Sequence, residues 1–153
     1  MKNIFLSNKE ILEYQKNRFP YLMIDVAETI VPGKSSKGFK NLTANDWFFK
    51  CHFPGDPNMP GLLQIEAIVQ MASLIILTLP NNKGKVMYLS KLSKSLFKKK
   101  VLIGDKLDIS AELKSFKRGV GSFYGKAMVR KKKVSEADFE LILPDEIEKY
   151  KLS

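Results

Sequence analysis

His52-Phe53-Pro54-Gly55-Asp56-Pro57-Asn58-Met59-Pro60-Gly61 runs directly into Leu62-Leu63-Gln64-Ile65-Glu66-Ala67-Ile68-Val69-Gln70-Met71-Ala72-Ser73-Leu74-Ile75-Ile76-Leu77-Thr78-Leu79. The first part, with three prolines and two glycines, excludes both helix and central strand, because proline lacks a donor and glycine favours turns. It is a stiff, shaped loop. Pro60 then suits the first turn of a helix, where its missing N–H would be unpaired in any case. Residues 61–79 are predicted to be that helix, and they are apolar on nearly every side, which places them inside a protein. The run is about as long as a short membrane span, but Gln64, Glu66 and Gln70 interrupt it, so a buried helix is expected rather than stable membrane insertion.

Working outward, Ser7-Asn8-Lys9-Glu10 reads as a capping box that starts a short helix reaching about Lys16, and Pro20 stops it. Residues 22–31 are apolar and β-branched enough for a strand, and Pro32-Gly33 turns the chain into a second strand over residues 37–42. Residues 85–143 read as four strands, separated at 98–104, 117–121 and 130–133 by glycines and charged residues. These elements predict an α+β fold in which a curved antiparallel sheet of five to six strands wraps one long central helix. No linker, composition shift or repeat divides residues 1–153, so a single domain is expected. Such a layout leaves sheet edges uncovered, and a homodimer is the natural way to close it. The last stretch, Asp145-Glu146-Ile147-Glu148-Lys149, reads as a terminal turn of helix or a mobile tail.

The net charge of +10 comes mainly from lysine, with runs at Lys98-Lys99-Lys100 and Lys131-Lys132-Lys133. A surface of this kind favours an acidic partner: nucleic acid, an anionic membrane or a small acidic carrier protein. Charge alone does not choose among them, and lysines in solvated turns are an equally good account. Cys51, the single cysteine, has no intrachain disulfide partner, and the apolar run at the N-terminus is too short for a signal peptide, so a reducing cytoplasm is expected.

His52 is the only histidine. A lone histidine is more often structural than catalytic, but this one sits in the constrained loop immediately before the buried helix. Histidine is also the side chain that titrates near neutrality, where base catalysis works best. Glu66 is the second anomaly, an ionisable group in a helix otherwise built of Leu, Ile, Val, Met and Ala. Burial there favours its protonated form, as a general acid requires, whereas pairing with a lysine or facing solvent would make it unremarkable. Gln70 and Ser73 fall on the same helical face as Glu66. The free N–H groups at the helix start, with Gly61 offering no side chain, suit a carbonyl oxygen that gains negative charge. Together these groups could polarise a thioester carbonyl at Gly61, remove the α-proton with His52 and protonate a departing 3-hydroxyl with Glu66. The chemistry needs no metal or organic cofactor, and the sequence has no Cys/His cluster, P-loop or Gly-x-Gly-x-x-Gly element. Cys51 beside His52 is a poor nucleophile candidate, since adjacent side chains point apart. Trp47, Phe48, Phe49 and Tyr88 lack the interleaved basic pattern of single-strand binders and read as core or acyl-chain lining, so nucleic acid is not the expected partner.

The segment from Cys51 through Ala67 closely resembles the active-site segment of the 3-hydroxyacyl-[acyl-carrier-protein] dehydratases of type II fatty-acid synthesis, the Z-type in particular. The likeness extends through Arg18-Phe19-Pro20-Tyr21-Leu22-Met23-Ile24-Asp25, Lys40-Asn41-Leu42-Thr43, Gly84-Lys85-Val86-Met87-Tyr88 and on to Gly104-Asp105. The resemblance implies the hot-dog fold and conversion of (3R)-3-hydroxyacyl thioesters on acyl carrier protein to trans-2-enoyl thioesters. It implies His52 as the catalytic histidine, Glu66 as the acid contributed across a dimer interface, Gly61 as the carbonyl-binding N–H, Gln70 as the glutamine beside them and Tyr88 as an aromatic gate. It further implies that an acidic carrier protein docks on Lys94, Lys98, Lys99 and Lys100, and that dimers assemble as a trimer of dimers. The chain departs from the pattern with Cys51 in place of the usual Gly, Val26 in place of Arg, and Lys16-Asn17 in place of Pro-His. These departures leave room for a specialised paralogue serving a lipid, polyketide or glycan pathway. A hot-dog thioesterase and a non-catalytic acyl or carrier-protein binding module are the competing expectations.

Overall fold

The computed structural model describes residues 2–151. The chain begins with strand β1 (Ile4–Leu6) and helix α1 (Asn8–Tyr14), and the predicted capping box opens that helix. Ser7 Oγ accepts from the Glu10 N–H, while the Glu10 carboxylate accepts from the Ser7 N–H at 2.8 Å. Strands β2 (Val26–Val31) and β3 (Ser35–Asn41) form a hairpin around Gly33, whose φ of 71° is the left-handed conformation that glycine adopts without strain. A short 3-10 helix (Trp47–Lys50) leads into the Pro/Gly loop and the long helix α2 (Gly61–Leu77). Strands β4 (Tyr88–Phe97), β5 (Lys106–Lys117), β6 (Val120–Val129) and β7 (Lys132–Ile142) follow, and helix α3 (Pro144–Lys151) closes the described chain.

All seven strands belong to one antiparallel sheet in the order β1-β2-β3-β5-β6-β7-β4. The expected count of five to six is therefore corrected to seven. The extra strand is β1, whose Ile4 and Leu6 lie opposite Ile30 and Ala27. Three residues carry no periodicity, so only the pairing partner makes them a strand. The strand expected over residues 22–31 begins instead at Val26, because the backbone before it bonds to the helix: Met23 N–H donates to Gln70 Oε1 at 2.8 Å.

Helix α2 lies against the concave side of the sheet, with Ile65, Ala67, Ile68, Met71, Ala72, Leu74, Ile75 and Ile76 buried around its circumference. The sheet bends to receive it through register shifts in β2, β4, β5 and β6, where an extra residue increases local twist. Two glycines allow the closest approach. A Cβ on Gly125 would meet Ile68 Cγ2 at 2.2 Å, and one on Gly38 would meet Met71 Cε at 2.6 Å. The result is the hot-dog arrangement of a sheet wrapped around a helix.

The two sheet edges differ. β1 is short, whereas β4 offers ten residues along an open edge, and Leu89, Leu92, Leu96 and Phe97 are exposed on it. No helix of the described residues is long and apolar enough to cross a membrane.

Candidate active site

Glu66 lies on the first half of α2, half-buried, at a cleft of about 320 Å³ that Val69, Gln70, Ser73, Leu77 and Tyr88 also line. Its carboxylate Oε1 accepts from Gln70 Nε2 at 2.8 Å, one helical turn further on. Gln70 is itself fixed at both ends of its amide: Nε2 also donates to the Tyr21 carbonyl at 2.8 Å, and Oε1 accepts from Met23 N–H at 2.8 Å. A fully bonded amide therefore orients the acid, and among the described residues no lysine pairs with it. Burial pushes the Glu66 carboxyl above its ordinary range, against the opposing pull of the Gln70 hydrogen bond. The Tyr21 hydroxyl is pushed up by burial and, second, by the Glu66 charge. The Ser73 hydroxyl, expected on the polar stripe, donates at 2.7 Å to Gln70 O and spends its proton within the helix.

His52 is on the loop before α2, and its Nδ1 lies 2.9 Å from the Asn58 carbonyl oxygen. A carbonyl only accepts, so Nδ1 carries the hydrogen and Nε2 keeps a basic lone pair. Asn58 N–H returns a bond to His52 O at 2.9 Å, which closes the loop on itself. The three-proline pattern announces this rigidity, but nothing in it singles out Asn58. At the end of the same loop, Pro60 O takes the N–H groups of Leu63 and Gln64, leaving those of Gly61 and Leu62 without an acceptor among the described residues. The space above Gly61 is not open, however: a Cβ there would meet the Phe97 ring at 2.7 Å. Glycine is required at this position by Phe97 as much as by any approaching substrate.

A second cleft, of about 530 Å³, joins Gly61 and Phe97 to Lys98, Lys99 and Lys100. Lys100 Nζ pairs with Asp56 of the His52 loop at 2.5 Å, and Met59 N–H donates to Val101 O at 2.8 Å, which anchors the lysine run beside that loop. Lys94 is exposed at a register shift of β4, in the left-handed region at φ 47°, and lines neither cleft. Within one chain the predicted residues thus divide into two groups. Glu66, Gln70 and Tyr88 share one cleft; Gly61, Lys98, Lys99 and Lys100 share another, next to the His52 loop, and His52 is not among the residues lining the Glu66 cleft.

Cys51 is exposed, and its thiol lies 3.5 Å from Phe48 O, a weak contact that does not aim it at either cleft. Phe48 and Phe49 are core residues, while Trp47 Nε1 donates to Pro20 O at 3.3 Å. Of the departures from the family pattern, Val26 opens β2, whereas Lys16 and Asn17 line the Glu66 cleft. Gln15, overlooked in the sequence because nothing but tertiary packing distinguishes it from a solvated helix end, is buried in that same wall. Among the described residues, no group of three or more His, Cys, Asp or Glu is placed to share a metal ion.

Residues 16–138 match the family model described as a FabA-like domain. The chain belongs to the FabA-like family. It is 39% identical over 143 residues to the 3-hydroxyacyl-[acyl-carrier-protein] dehydratase FabZ of Clostridium tetani, covering 94% of this chain and 99% of that relative. It is 42% identical over 123 residues to the protein of the same name from Clostridium novyi, with 80% of this chain and 85% of the relative covered. Among solved structures, the dehydratase heterocomplex ApeI:P from Xenorhabdus doucetiae shares the fold, with a TM-score of 0.78 over 93% of this chain and 95% of that one at 15% identity.

The raised Glu66 pKa has a measurable effect on stability. The folded state binds the Glu66 proton more tightly than the unfolded chain, so stability falls as pH rises from about 4.5, the ordinary value, through the folded pKa. Glu66→Gln removes that penalty and keeps an acceptor for Gln70. The variant is expected to melt a few degrees higher than wild type at neutral pH, with the difference vanishing below the ordinary glutamate range. Melting curves across pH check this, and a difference independent of pH would count against it.

Proposed function

We propose that this chain dehydrates (3R)-3-hydroxyacyl thioesters carried on acyl carrier protein to trans-2-enoyl thioesters, in fatty-acid or related acyl-chain synthesis. The observation that carries the reading is the His52–Asn58 contact, since a hydrogen committed to Nδ1 leaves Nε2 as a general base. The thioester oxygen binds at the free N–H groups of Gly61 and Leu62, where developing enolate charge is stabilised. His52 Nε2 removes the α-proton. Glu66, held toward its neutral form and oriented by Gln70, protonates the 3-hydroxyl, which leaves as water. The proton taken up by His52 and the one lost from Glu66 are rebalanced through solvent before the next turnover.

In this reading a homodimer completes the site, with Glu66 of one protomer acting beside the partner's His52. Two features support it: the open β4 edge with its exposed apolar residues, and the separation of the two groups into different clefts. Three such dimers form the larger assembly. Tyr88 borders the acyl entrance, and Lys94, Lys98, Lys99 and Lys100 receive the acidic carrier protein in the cytoplasm, with residues 1–153 acting as one domain. All four lysines are exposed, as docking requires.

The test is to incubate the protein with 3-hydroxyacyl thioesters on carrier protein and on coenzyme A, following enoyl product and free thiol together. Enoyl formation, faster on the carrier-bound substrate, is the expected result. Thiol release without enoyl product would replace the reading with hydrolysis, and tight carrier binding with neither product would replace it with a binding module.

A further inference from the structure

Two neighbouring turns carry residues that turn chemistry disfavours. The first leads from β4 into β5 at Leu102-Ile103-Gly104-Asp105, where Asp105 N–H donates to Leu102 O at 3.1 Å and Gly104 takes a φ of 86°. Tight turns are normally polar, yet Leu102 and Ile103 are 46% and 43% exposed. The second is the β6–β7 hairpin, in which Val129 lies opposite Lys132 and the two residues between them, Arg130 and Lys131, have φ values of 49° and 63°. Two-residue hairpins of this geometry select Asn-Gly or Asp-Gly, since most side chains are strained in the left-handed region. Here both positions hold cations.

The turns adjoin. Arg130 Nη2 lies 3.7 Å from Asp105 Oδ1, and Lys99, Lys100, Leu102, Arg130 and Lys132 line a cleft of about 330 Å³ beside them. Asp105 is the one acid lining it among the described residues, and its nearly buried carboxylate is occupied, with Oδ2 accepting from Leu102 N–H at 2.8 Å. Lys100 is paired with Asp56, whereas Lys99, Lys131 and Lys132 are exposed and have no carboxylate partner among the described residues. An aliphatic pair is thus set among five cations, four of them lysines. Lysine brings charge on a flexible stem, without the fixed fork by which arginine reads one carboxylate or phosphate geometry. Such a ring suits a partner whose negative charges are mobile and spread sideways, and an exposed aliphatic tip suits one that yields around it. A bilayer containing anionic lipid has both properties.

We infer that the turns at residues 102–105 and 130–132 form a peripheral contact with the anionic surface of a membrane. The cations lie at the headgroups, and Leu102 and Ile103 enter the boundary with the acyl tails. The contact rests on the surface and spans nothing. It does not depend on the dehydratase reading, since none of its turn residues belongs to the His52, Glu66 or Gly61 machinery.

The test is cosedimentation of the intact protein with vesicles of phosphatidylcholine alone and of phosphatidylcholine mixed with phosphatidylglycerol. Binding to the anionic vesicles that weakens as salt rises, with none to the neutral ones, is expected. Arg130→Asn with Lys131→Gly installs the pair that the turn geometry prefers, so this variant is expected to melt no lower than wild type. Its affinity for anionic vesicles is expected to fall about twentyfold, at roughly fivefold for each cation near the surface. Leu102→Ser with Ile103→Ser keeps every charge and is expected to lower affinity about tenfold. Lys34→Asn with Lys117→Asn removes the same charge from turns at the other end of the strands, and at physiological salt is expected to change binding by less than about twofold. An equal loss in that control, binding that survives both turn variants, or no binding to anionic vesicles overturns the inference. Loss of carrier-protein binding in the turn variants, with no lipid binding by wild type, overturns it too and assigns the surface to an acidic protein.

Discussion

His52→Ala is expected to lower the rate of enoyl formation by about three orders of magnitude, within the range that a positioned general base contributes. Nε2 is the His52 nitrogen left with a lone pair for the α-proton, because Nδ1 is committed to Asn58 O. Glu66→Gln is expected to cost a similar factor: glutamine keeps the acceptor that Gln70 needs but has no proton to transfer to the leaving hydroxyl. The double variant should be little worse than either alone, since groups that act as a unit lose their contribution together. The measurements are kcat and KM for enoyl formation, with melting temperature as a control for folding. The effect should fall on kcat, because in the proposed site neither group holds the thioester. A Glu66→Gln protein as active as wild type would sink the acid assignment even with the family membership intact.

Mixing those two inactive variants is expected to restore about a quarter of wild-type activity. In a site shared between protomers, a heterodimer of His52→Ala with Glu66→Gln contains one site with both defects and one with neither. Half of a randomly assorted population is heterodimer and half of its sites are intact, which leads to the quarter. Co-expression with two different tags isolates the heterodimer, whose expected activity is about half that of wild type. If both groups acted within one chain, every site in the mixture would be defective and no activity would return. Demonstrated heterodimers without activity would therefore exclude the shared site. The β4 edge is the place to weaken the assembly, because Leu92 and Leu96 are exposed there on a strand with a free side.

Much of this molecule was legible as pattern. The capping box at Ser7, the prolines that stiffen the His52 loop and the all-round apolar helix are local statements, and each has a local physical cause. So are the four long strands after the helix, which alternate buried and partly buried residues through most of β6 and β7. Glu66 could be singled out because a charge among aliphatic residues is an anomaly in any window of sequence. Other features have no local signature. β1 is three residues long and exists through its pairing with β2. Residues 22–25 look like a strand, yet Gln70, far away in sequence, claims the Met23 N–H.

The sequence by itself determined the class of fold and singled out His52 and Glu66 as candidates, because periodicity, turn chemistry and a misplaced charge act over a few neighbouring residues. Only the tertiary structure decided that His52 holds its hydrogen on Nδ1, that Phe97 covers Gly61, that Glu66 and the His52 loop belong to different clefts, and that the Gln15 side-chain amide is buried with no hydrogen-bond partner among the described residues. Those facts depend on which surfaces meet when a bent sheet closes over a helix, and no stretch of sequence contains both surfaces.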